Sequence, residues 1–110
     1  MSLKDKEKWN KKYAAEEYIT GKEPSSWLEE NAGLLNTNGK ALDIAGGEGR
    51  NSVFVASRGY EVTCLDISKN GLTKALALAH EKKAKITTLY ADLDNSSLPE
   101  NEYDLVLCFN

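Results

Sequence analysis

Three glycines and three aspartates are the residues of this sequence that could form a ligand-binding site. The three glycines lie in the turn at residues 46–49, and a ligand can approach a glycine backbone closely because there is no Cβ. A helix that begins after such a turn directs free N–H groups and its positive dipole end at the ligand. Asp66 offers two carboxylate oxygens to ribose hydroxyls, and Asp92 can accept a hydrogen bond from the exocyclic amine of a purine. The pattern indicates a site for a nucleoside-bearing ligand.

Asp43, just before the glycine turn, indicates which nucleoside-bearing ligand is favoured. A dinucleotide site usually has the pattern G-x-G-x-x-G, and the third place counted from Gly47 is Ser52. The Asp43 carboxylate would repel a pyrophosphate and attract the ammonium and sulfonium of S-adenosylmethionine. Asp43 can also accept hydrogen bonds from the N–H groups of the turn, and the two roles are compatible. S-adenosylmethionine is therefore favoured over NAD.

Each of these residues has a structural explanation when it is taken alone. A glycine-rich turn is often only a tight turn, and an aspartate at a strand end is often a helix cap. For Asp66 the structural and the ligand-binding roles are equally favoured, and for Asp92 the structural role is favoured. Only their joint occurrence at one edge of a sheet favours a binding site.

Alternating strands and helices must bring these residues together. Helices are predicted over 4–17, from Pro24, over 50–58 and after Ser68, and strands over 40–45, 60–65, 85–90 and 103–109. This order predicts an α/β fold with a Rossmann-like, mostly parallel sheet of about four strands and flanking helices. The last strand is apolar enough to be central. Ligands of such sheets bind beyond the carboxyl ends of the strands, where Asn110 is also expected.

Composition and charge narrow the possible classes. The 110 residues suit one domain, 1–110, with an N-terminal helical segment at 1–36 and the core at 40–110. The net charge is −3 without a basic stripe, so nucleic acid is not an expected partner. No apolar run is long enough to span a membrane, and His80 has no second histidine at ligand spacing, so neither membrane nor metal is expected. A cytoplasmic protein is predicted.

Four segments resemble, in order, the motifs of class I S-adenosylmethionine-dependent methyltransferases. Residues 41–51 (ALDIAGGEGRN) resemble the first motif and residues 59–68 (GYEVTCLDIS) the second. Residues 90–93 (YADL) resemble the third, and residues 103–107 (YDLVL) resemble the strand-four motif. The motif sequences are most similar to those of the small-molecule branch that includes tellurite-resistance-type methyltransferases, in which an N-terminal helix with Trp and Tyr precedes the first motif.

The resemblance implies roles for individual residues. Asp43 and the turn would hold the methionine end of the cofactor, Asp66 the ribose, and Ile67 the adenine face, while Asp92 and the Leu93 backbone would contact the adenine edge. Tyr13 and Tyr18 would close over the methyl group, although core packing is at least as favoured for them. The candidate cofactor-binding residues are Tyr13, Tyr18, Asp43, Ala45, Gly46, Gly47, Gly49, Asn51, Asp66, Ile67, Asp92, Leu93 and Asn110. No catalytic residue is identified.

Two features depart from the family pattern. Ala45 stands where the family has its first turn glycine. The alanine methyl group is tolerated there if the φ of Ala45 is negative. Such enzymes also have three further strands, so an incomplete methyltransferase fold is expected here. A truncated chain, a natural half-protein and a chain completed by a partner would all give this length. The missing strands predict an exposed apolar sheet edge that a second copy or another partner covers.

Three functions follow from this sequence. A methyltransferase that acts on a small molecule is favoured. A half-domain that binds the cofactor without turnover, and works through self-association or a partner, is the alternative. An NAD-dependent oxidoreductase is less favoured, because of Asp43 and the incomplete glycine pattern.

Overall fold

The computed structural model describes residues 3–15, 17–35, 38–91 and 102–109. Its elements are, in chain order, α1 Leu3–Lys12, α2 Ser26–Glu30, a short 3-10 helix Ala32–Leu34, β1 Gly39–Ile44, α3 Arg50–Ser57, β2 Tyr60–Asp66, α4 Lys69–Glu81, β3 Ile86–Tyr90 and β4 Leu105–Leu107. Strands and helices alternate from β1 to β3, which confirms the predicted α/β class.

The four described strands form one parallel sheet in the order β3-β2-β1-β4. β1 pairs with β2 along its whole length, from Gly39 opposite Tyr60 to Ile44 opposite Leu65. The chain first adds strands on one side of β1 and then places β4 on its other side. The strand order therefore reverses at β1, which is where parallel sheets leave a crevice for ligands.

The core lies where α3 and α4 pack on the sheet. α4 begins at Ser68, whose hydroxyl accepts a hydrogen bond from the Gly71 N–H at 3.0 Å, as an N-cap residue does. Apolar residues at helical spacing then face the sheet. The buried side chains of this core include Val53, Val55, Val62, Cys64, Leu72, Ala75, Leu78 and Ile86. This packing holds the ends of β1 and β2 in fixed positions.

The N-terminal helix is shorter than predicted. Trp9 and Tyr13 share a face, and their rings stack with centroids 5.6 Å apart. However, α1 ends at Lys12 and a turn follows, so the prediction of a helix to residue 17 is wrong. The chain leaves the helix because Ile19 and Thr20 make hydrogen bonds to Glu48, which a continued helix would prevent.

β4 is an edge strand of the described sheet, although its sequence is apolar enough for a central strand. Val106 on this strand is exposed, and so are Trp27 of α2 and Leu34 of the 3-10 helix. Apolar residues of the two segments line a groove of about 600 Å³. The prediction of an exposed apolar surface along this edge therefore agrees with the described structure. None of the described helices is long and apolar enough to cross a membrane.

Gly49 provides a test of how tightly α3 and α4 fit together. Its φ is +86°, and a Cβ there would lie 2.6 Å from Cβ of Ala75 in α4. We expect Gly49→Ala to lower the free energy of unfolding by about 2–4 kcal/mol, because the backbone strain and the clash add. Urea denaturation measures this change.

Gly21→Ala is the matched control, because Gly21 has a similar φ of +82° and, apart from its chain neighbours, no atom lies within 4 Å of a Cβ at that position. We expect it to show the backbone strain alone, about 1–2 kcal/mol. Equal effects of the two substitutions would contradict the proposed packing of Gly49.

Candidate cofactor-binding site

A cavity of about 210 Å³ lies beyond the carboxyl ends of β1 and β2. Eight of the predicted site residues line it: Tyr13, Asp43, Ala45, Gly46, Gly47, Asn51, Asp66 and Ile67. Gly49 and Tyr18 are not among the lining residues. Asp92, Leu93 and Asn110 lie outside the described residues, so their predicted roles stay predictions. The sheet edge thus brings together residues from three separate sequence segments.

The glycine turn is required by the packing around it as well as by any ligand. A Cβ at Gly46 would lie 2.5 Å from Sγ of Cys64 in β2. Gly47 has a φ of +56°, and a Cβ there would lie 2.7 Å from the Tyr13 hydroxyl oxygen. The tight-turn explanation therefore holds for these glycines. It does not exclude a ligand role, since both residues also line the cavity.

The backbone at Ala45 does not have the negative φ at which an alanine was expected to be tolerated. Its φ is +55°, in the left-handed region that favours glycine, whereas tolerance of the methyl group was expected only at negative φ. The strand end and the turn must both be held by their neighbours, and Gly46 N–H donates to the Leu65 carbonyl of β2 at 3.1 Å. The turn therefore keeps the glycine-type backbone with an alanine in place, at a cost of about 1–2 kcal/mol.

Asp66 holds the glycine turn with one carboxylate oxygen and the start of α4 with the other. Oδ2 accepts a hydrogen bond from Gly47 N–H at 2.8 Å, and Oδ1 accepts one from Ser68 N–H at 2.9 Å. Burial raises the pKa of this carboxyl, while the hydrogen bonds from Ser68 and Gly47 oppose that rise. A carboxylate can accept about four hydrogen bonds, so the two oxygens retain capacity for a ligand in the cavity.

Asp43 is almost completely buried at the end of β1. Its Oδ2 accepts a hydrogen bond from the Ser52 hydroxyl of α3 at 2.6 Å. The pKa of Asp43 is raised to about 6, because burial and the nearby Asp66 raise it more than the hydrogen bonds from Ser52 and the charge of Arg50 lower it. The sequence suggested N–H groups of the turn as structural partners, but the described hydrogen bond comes from Ser52. The same serine that breaks the dinucleotide pattern therefore holds the acid of the site.

The two tyrosines have different positions. Tyr13 is buried against Gly47 and lines the cavity, and burial, with Asp66 and Glu48 nearby, raises its pKa to about 12. Tyr18 instead donates from its hydroxyl to the Lys74 carbonyl oxygen of α4 at 2.6 Å. The prediction that Tyr18 closes over the cofactor is therefore not supported, because the hydroxyl is directed to α4.

Asn51 has a structural partner beside its place in the cavity wall. Its Oδ1 accepts a hydrogen bond from the Ser25 N–H at 2.8 Å, just before α2 begins. The amide thus connects the first turn of α3 to the N-terminal segment. This contact is a tertiary one, so sequence reasoning had only the family motif as a signal for Asn51.

Sequence reasoning missed five residues of the cavity wall, namely Trp9, Thr20, Glu48, Arg50 and Phe109. Glu48 and Arg50 lie inside the first motif and were visible there as charged residues next to glycines. Trp9 was visible only as the tryptophan of the N-terminal helix. Within the described ranges, no three His, Cys, Asp or Glu side chains are arranged to hold a metal ion.

Comparison with known proteins identifies the class. The family described as "Methyltransferase domain" matches residues 41–110, which is more than half of the chain. The chain belongs to this methyltransferase family, as the four motifs predicted.

Particular relatives agree with this assignment. The chain is 31% identical over 68 residues to the probable S-adenosyl-L-methionine-dependent methyltransferase TehB of Haemophilus influenzae, which covers 62% of this chain and 23% of TehB. It is 31% identical over 86 residues to the ubiquinone biosynthesis O-methyltransferase of Pseudomonas aeruginosa, covering 76% and 35% of the two chains. The chain thus spans about a quarter to a third of these relatives.

A solved structure shows the same fold. The S-adenosylmethionine-dependent methyltransferase from Geobacter sulfurreducens, in complex with S-adenosyl-L-homocysteine, superposes with a TM-score of 0.70 at 20% identity. The match covers 87% of this chain and 40% of that one. The predicted Rossmann-like methyltransferase fold is therefore confirmed, and this chain corresponds to less than half of such a structure.

The raised pKa of Asp43 predicts how stability depends on pH. Its contribution to stability is fully present below its ordinary value of 3.8 and is lost as the pH rises through about 6, because ionisation is unfavourable in the folded state. Asp43→Asn does not ionise. We expect its free energy of unfolding, relative to the parent chain, to rise by up to about 3 kcal/mol between pH 4 and pH 7.

Urea denaturation at several pH values measures this difference. Asp104→Asn, which removes an exposed carboxylate near the start of β1, controls for the loss of one charge. Parallel pH profiles for Asp43→Asn and the parent chain would show that the burial of Asp43 does not matter for stability.

Proposed function

We propose that this chain binds S-adenosylmethionine in the cavity beyond β1 and β2 and forms the cofactor-binding part of a methyltransferase. One observation carries the proposal. Two buried carboxylates, Asp43 and Asp66, and the glycine turn face one cavity at the point where the strand order reverses. This arrangement matches the motifs of the family to which the chain belongs.

The residues of the cavity suit the chemical groups of this cofactor. Buried acids at Asp43 and Asp66 favour a ligand that carries an ammonium and a sulfonium. The free oxygen capacity of Asp66 suits ribose hydroxyls, and the buried Ile67 beside it offers an apolar surface for the adenine ring. A dinucleotide fits less well, because its pyrophosphate would lie beside the buried Asp43.

Bound S-adenosylmethionine supplies an activated methyl group for direct displacement, which requires mainly that donor and acceptor are held in line. The chain's own contribution is therefore positioning and exclusion of water. Trp9 and Tyr13 from the N-terminal segment and Phe109 after β4 also line the cavity, with Tyr13 against Gly47 of the turn. We propose that the acceptor is a small molecule, because the motifs resemble those of the small-molecule branch of the family. The predicted cytoplasmic location belongs to the same proposal.

Isothermal titration calorimetry with S-adenosyl-L-homocysteine tests the proposal. We expect the parent chain to bind it and Asp66→Asn to bind roughly 10–100 times more weakly, since hydrogen bonds to a charged acceptor are lost. Asp104→Asn is the control, because its carboxylate also accepts a backbone N–H, that of Lys40, but lies at the other end of β1. Absence of binding by the parent chain, or equal affinities of the two variants, would refute the proposed site.

Two further measurements separate the alternative functions. Displacement of S-adenosyl-L-homocysteine by NAD at comparable concentrations would favour the oxidoreductase. Binding without methyl transfer to any acceptor in a panel would favour the half-domain that works through a partner, and turnover by the isolated chain would exclude it. The share of its relatives that the chain covers, 23% for TehB, makes this alternative worth testing.

The apolar groove along β4 supports the prediction that a second copy covers this edge. An edge strand offers unpaired N–H and C=O groups, and Val106 and Trp27 add apolar surface beside it. We expect sedimentation velocity at micromolar concentration to show self-associated species, and Val106→Lys to reduce them, because a charge on the edge opposes pairing. A monodisperse monomer of the parent chain would contradict the prediction.

A further inference from the structure

Glu48, in the middle of the glycine turn, is a buried carboxylate with four hydrogen bonds. Its Oε1 accepts from the N–H and the hydroxyl of Thr20 at 2.9 and 2.8 Å. Its Oε2 accepts from the Ile19 N–H at 3.2 Å and from Lys74 Nζ at 2.8 Å. Burial raises the pKa of Glu48, but the hydrogen bonds from Lys74, Thr20 and Ile19 lower it overall, so the carboxylate is ionised at neutral pH.

These bonds connect three segments that are distant in sequence. Residues 17–20, which we call the strap, follow α1 and lie against the glycine turn. Lys74 of α4 bonds to Glu48 and also donates to the Glu17 carbonyl oxygen of the strap. Tyr18 of the strap donates in turn to the Lys74 carbonyl oxygen. The strap is therefore held by one network centred on the Glu48 carboxylate and the Lys74 ammonium.

The strap and α1 together form a wall of the cavity. Thr20 and Tyr13 both line it, and Tyr13 lies against Gly47. At the other end of this segment, Asn10 accepts hydrogen bonds from the Ser68 hydroxyl and the Asn70 N–H, each at 3.0 Å. The segment is thus fastened at Asn10 and at residues 19–20, and the cavity-lining Tyr13 lies between the two points.

We propose that Glu48 is a positioning residue: it fastens the strap to the glycine turn and so holds the N-terminal segment as a wall of the cofactor cavity. The proposal rests on the proposed function for the identity of the ligand. It does not require Glu48 to contact the ligand. By linkage, a ligand that needs this wall binds more tightly when the strap is fastened, and its binding protects the strap to the same extent.

Glu48→Gln tests the fastening with little change of size. An amide nitrogen cannot accept hydrogen bonds, so one side of the introduced amide opposes the donors of the strap and Lys74 instead of pairing with them. Glu81→Gln is the matched control, because Glu81 of α4 pairs with Lys22 at 3.0 Å on the exposed surface, directly after the strap. Both substitutions remove one charge and one ion pair of α4, which Lys74 makes with Glu48 of the glycine turn and Glu81 makes with Lys22 of the N-terminal segment.

Hydrogen exchange without ligand measures the fastening itself. We expect Glu48→Gln to speed exchange of the Ile19 and Thr20 amides by roughly tenfold or more, with the β2 amides unchanged, because hydrogen bonds to a charged acceptor are lost. We expect Glu81→Gln to leave all of these rates within about twofold of the parent chain. Unchanged exchange at the strap in Glu48→Gln, or equal acceleration throughout β2, would overturn the proposal.

Titration with S-adenosyl-L-homocysteine measures the effect on the cavity. We expect Glu48→Gln to bind roughly tenfold more weakly and Glu81→Gln to bind like the parent chain. Faster exchange at the strap without any loss of affinity would overturn the positioning role. If the parent chain does not bind S-adenosyl-L-homocysteine, the proposed function fails, while the exchange rates still decide whether Glu48 fastens the strap.

A milder variant keeps the proposal testable if Glu48→Gln does not fold. Thr20→Val preserves the shape of the side chain and removes only the hydroxyl bond to Glu48. We expect faster exchange at the Thr20 amide, by roughly threefold to tenfold, with β2 unchanged. No change at Thr20 in this variant would count against the fastening.

Discussion

Three carboxylates, those of Asp43, Glu48 and Asp66, are buried around one glycine turn. A buried carboxylate is unfavourable unless hydrogen bonds or a cation compensate it, and each of the three has a different compensation. Glu48 has the Lys74 ammonium, Asp66 has backbone N–H groups, and Asp43 has hydrogen bonds from Ser52 and the charge of Arg50 nearby. Glu48 is the most fully compensated of the three, since its pKa is lowered while those of Asp66 and Asp43 are raised.

This difference in compensation explains why one turn can serve both the fold and a ligand. The well-compensated Glu48 holds the N-terminal segment and is satisfied without a ligand. The poorly compensated Asp43 faces the cavity, where a cationic ligand would relieve the unfavourable burial. Backbone strain is also common in functional sites, and Ala45, two residues after Asp43, has a left-handed backbone.

Local signals in the sequence predicted most of the central fold. The Ser68 cap and the apolar spacing after it define α4, and Gly59, which has a positive φ, separates α3 from β2. The end of α1 was not predictable in this way. It depends on contacts between residues far apart in sequence, such as the 28 positions between Thr20 and Glu48. Propensity and periodicity do not contain such contacts.

The candidate site shows the same division. Asp43, Asp66 and the glycines were predicted because they stand at strand ends, and the topology of a parallel sheet brings strand ends together. Glu48 was missed because its neighbours in the sequence are glycines, while its partners come from the strap and from α4. The family resemblance offered Tyr18 for the cavity beside an equally favoured packing role, and its hydroxyl reaches the carbonyl oxygen of Lys74.

Asp66 shows that a structural role and a ligand role need not be alternatives. The sequence left the two equally favoured, and the structure gives Asp66 two backbone partners. Those partners come from the glycine turn and from the residue that caps α4, so they fix the orientation of the carboxylate. A carboxylate fixed in this way loses little entropy when ribose hydroxyls bind to its remaining lone pairs. The structural hydrogen bonds of Asp66 therefore strengthen the case for its binding role.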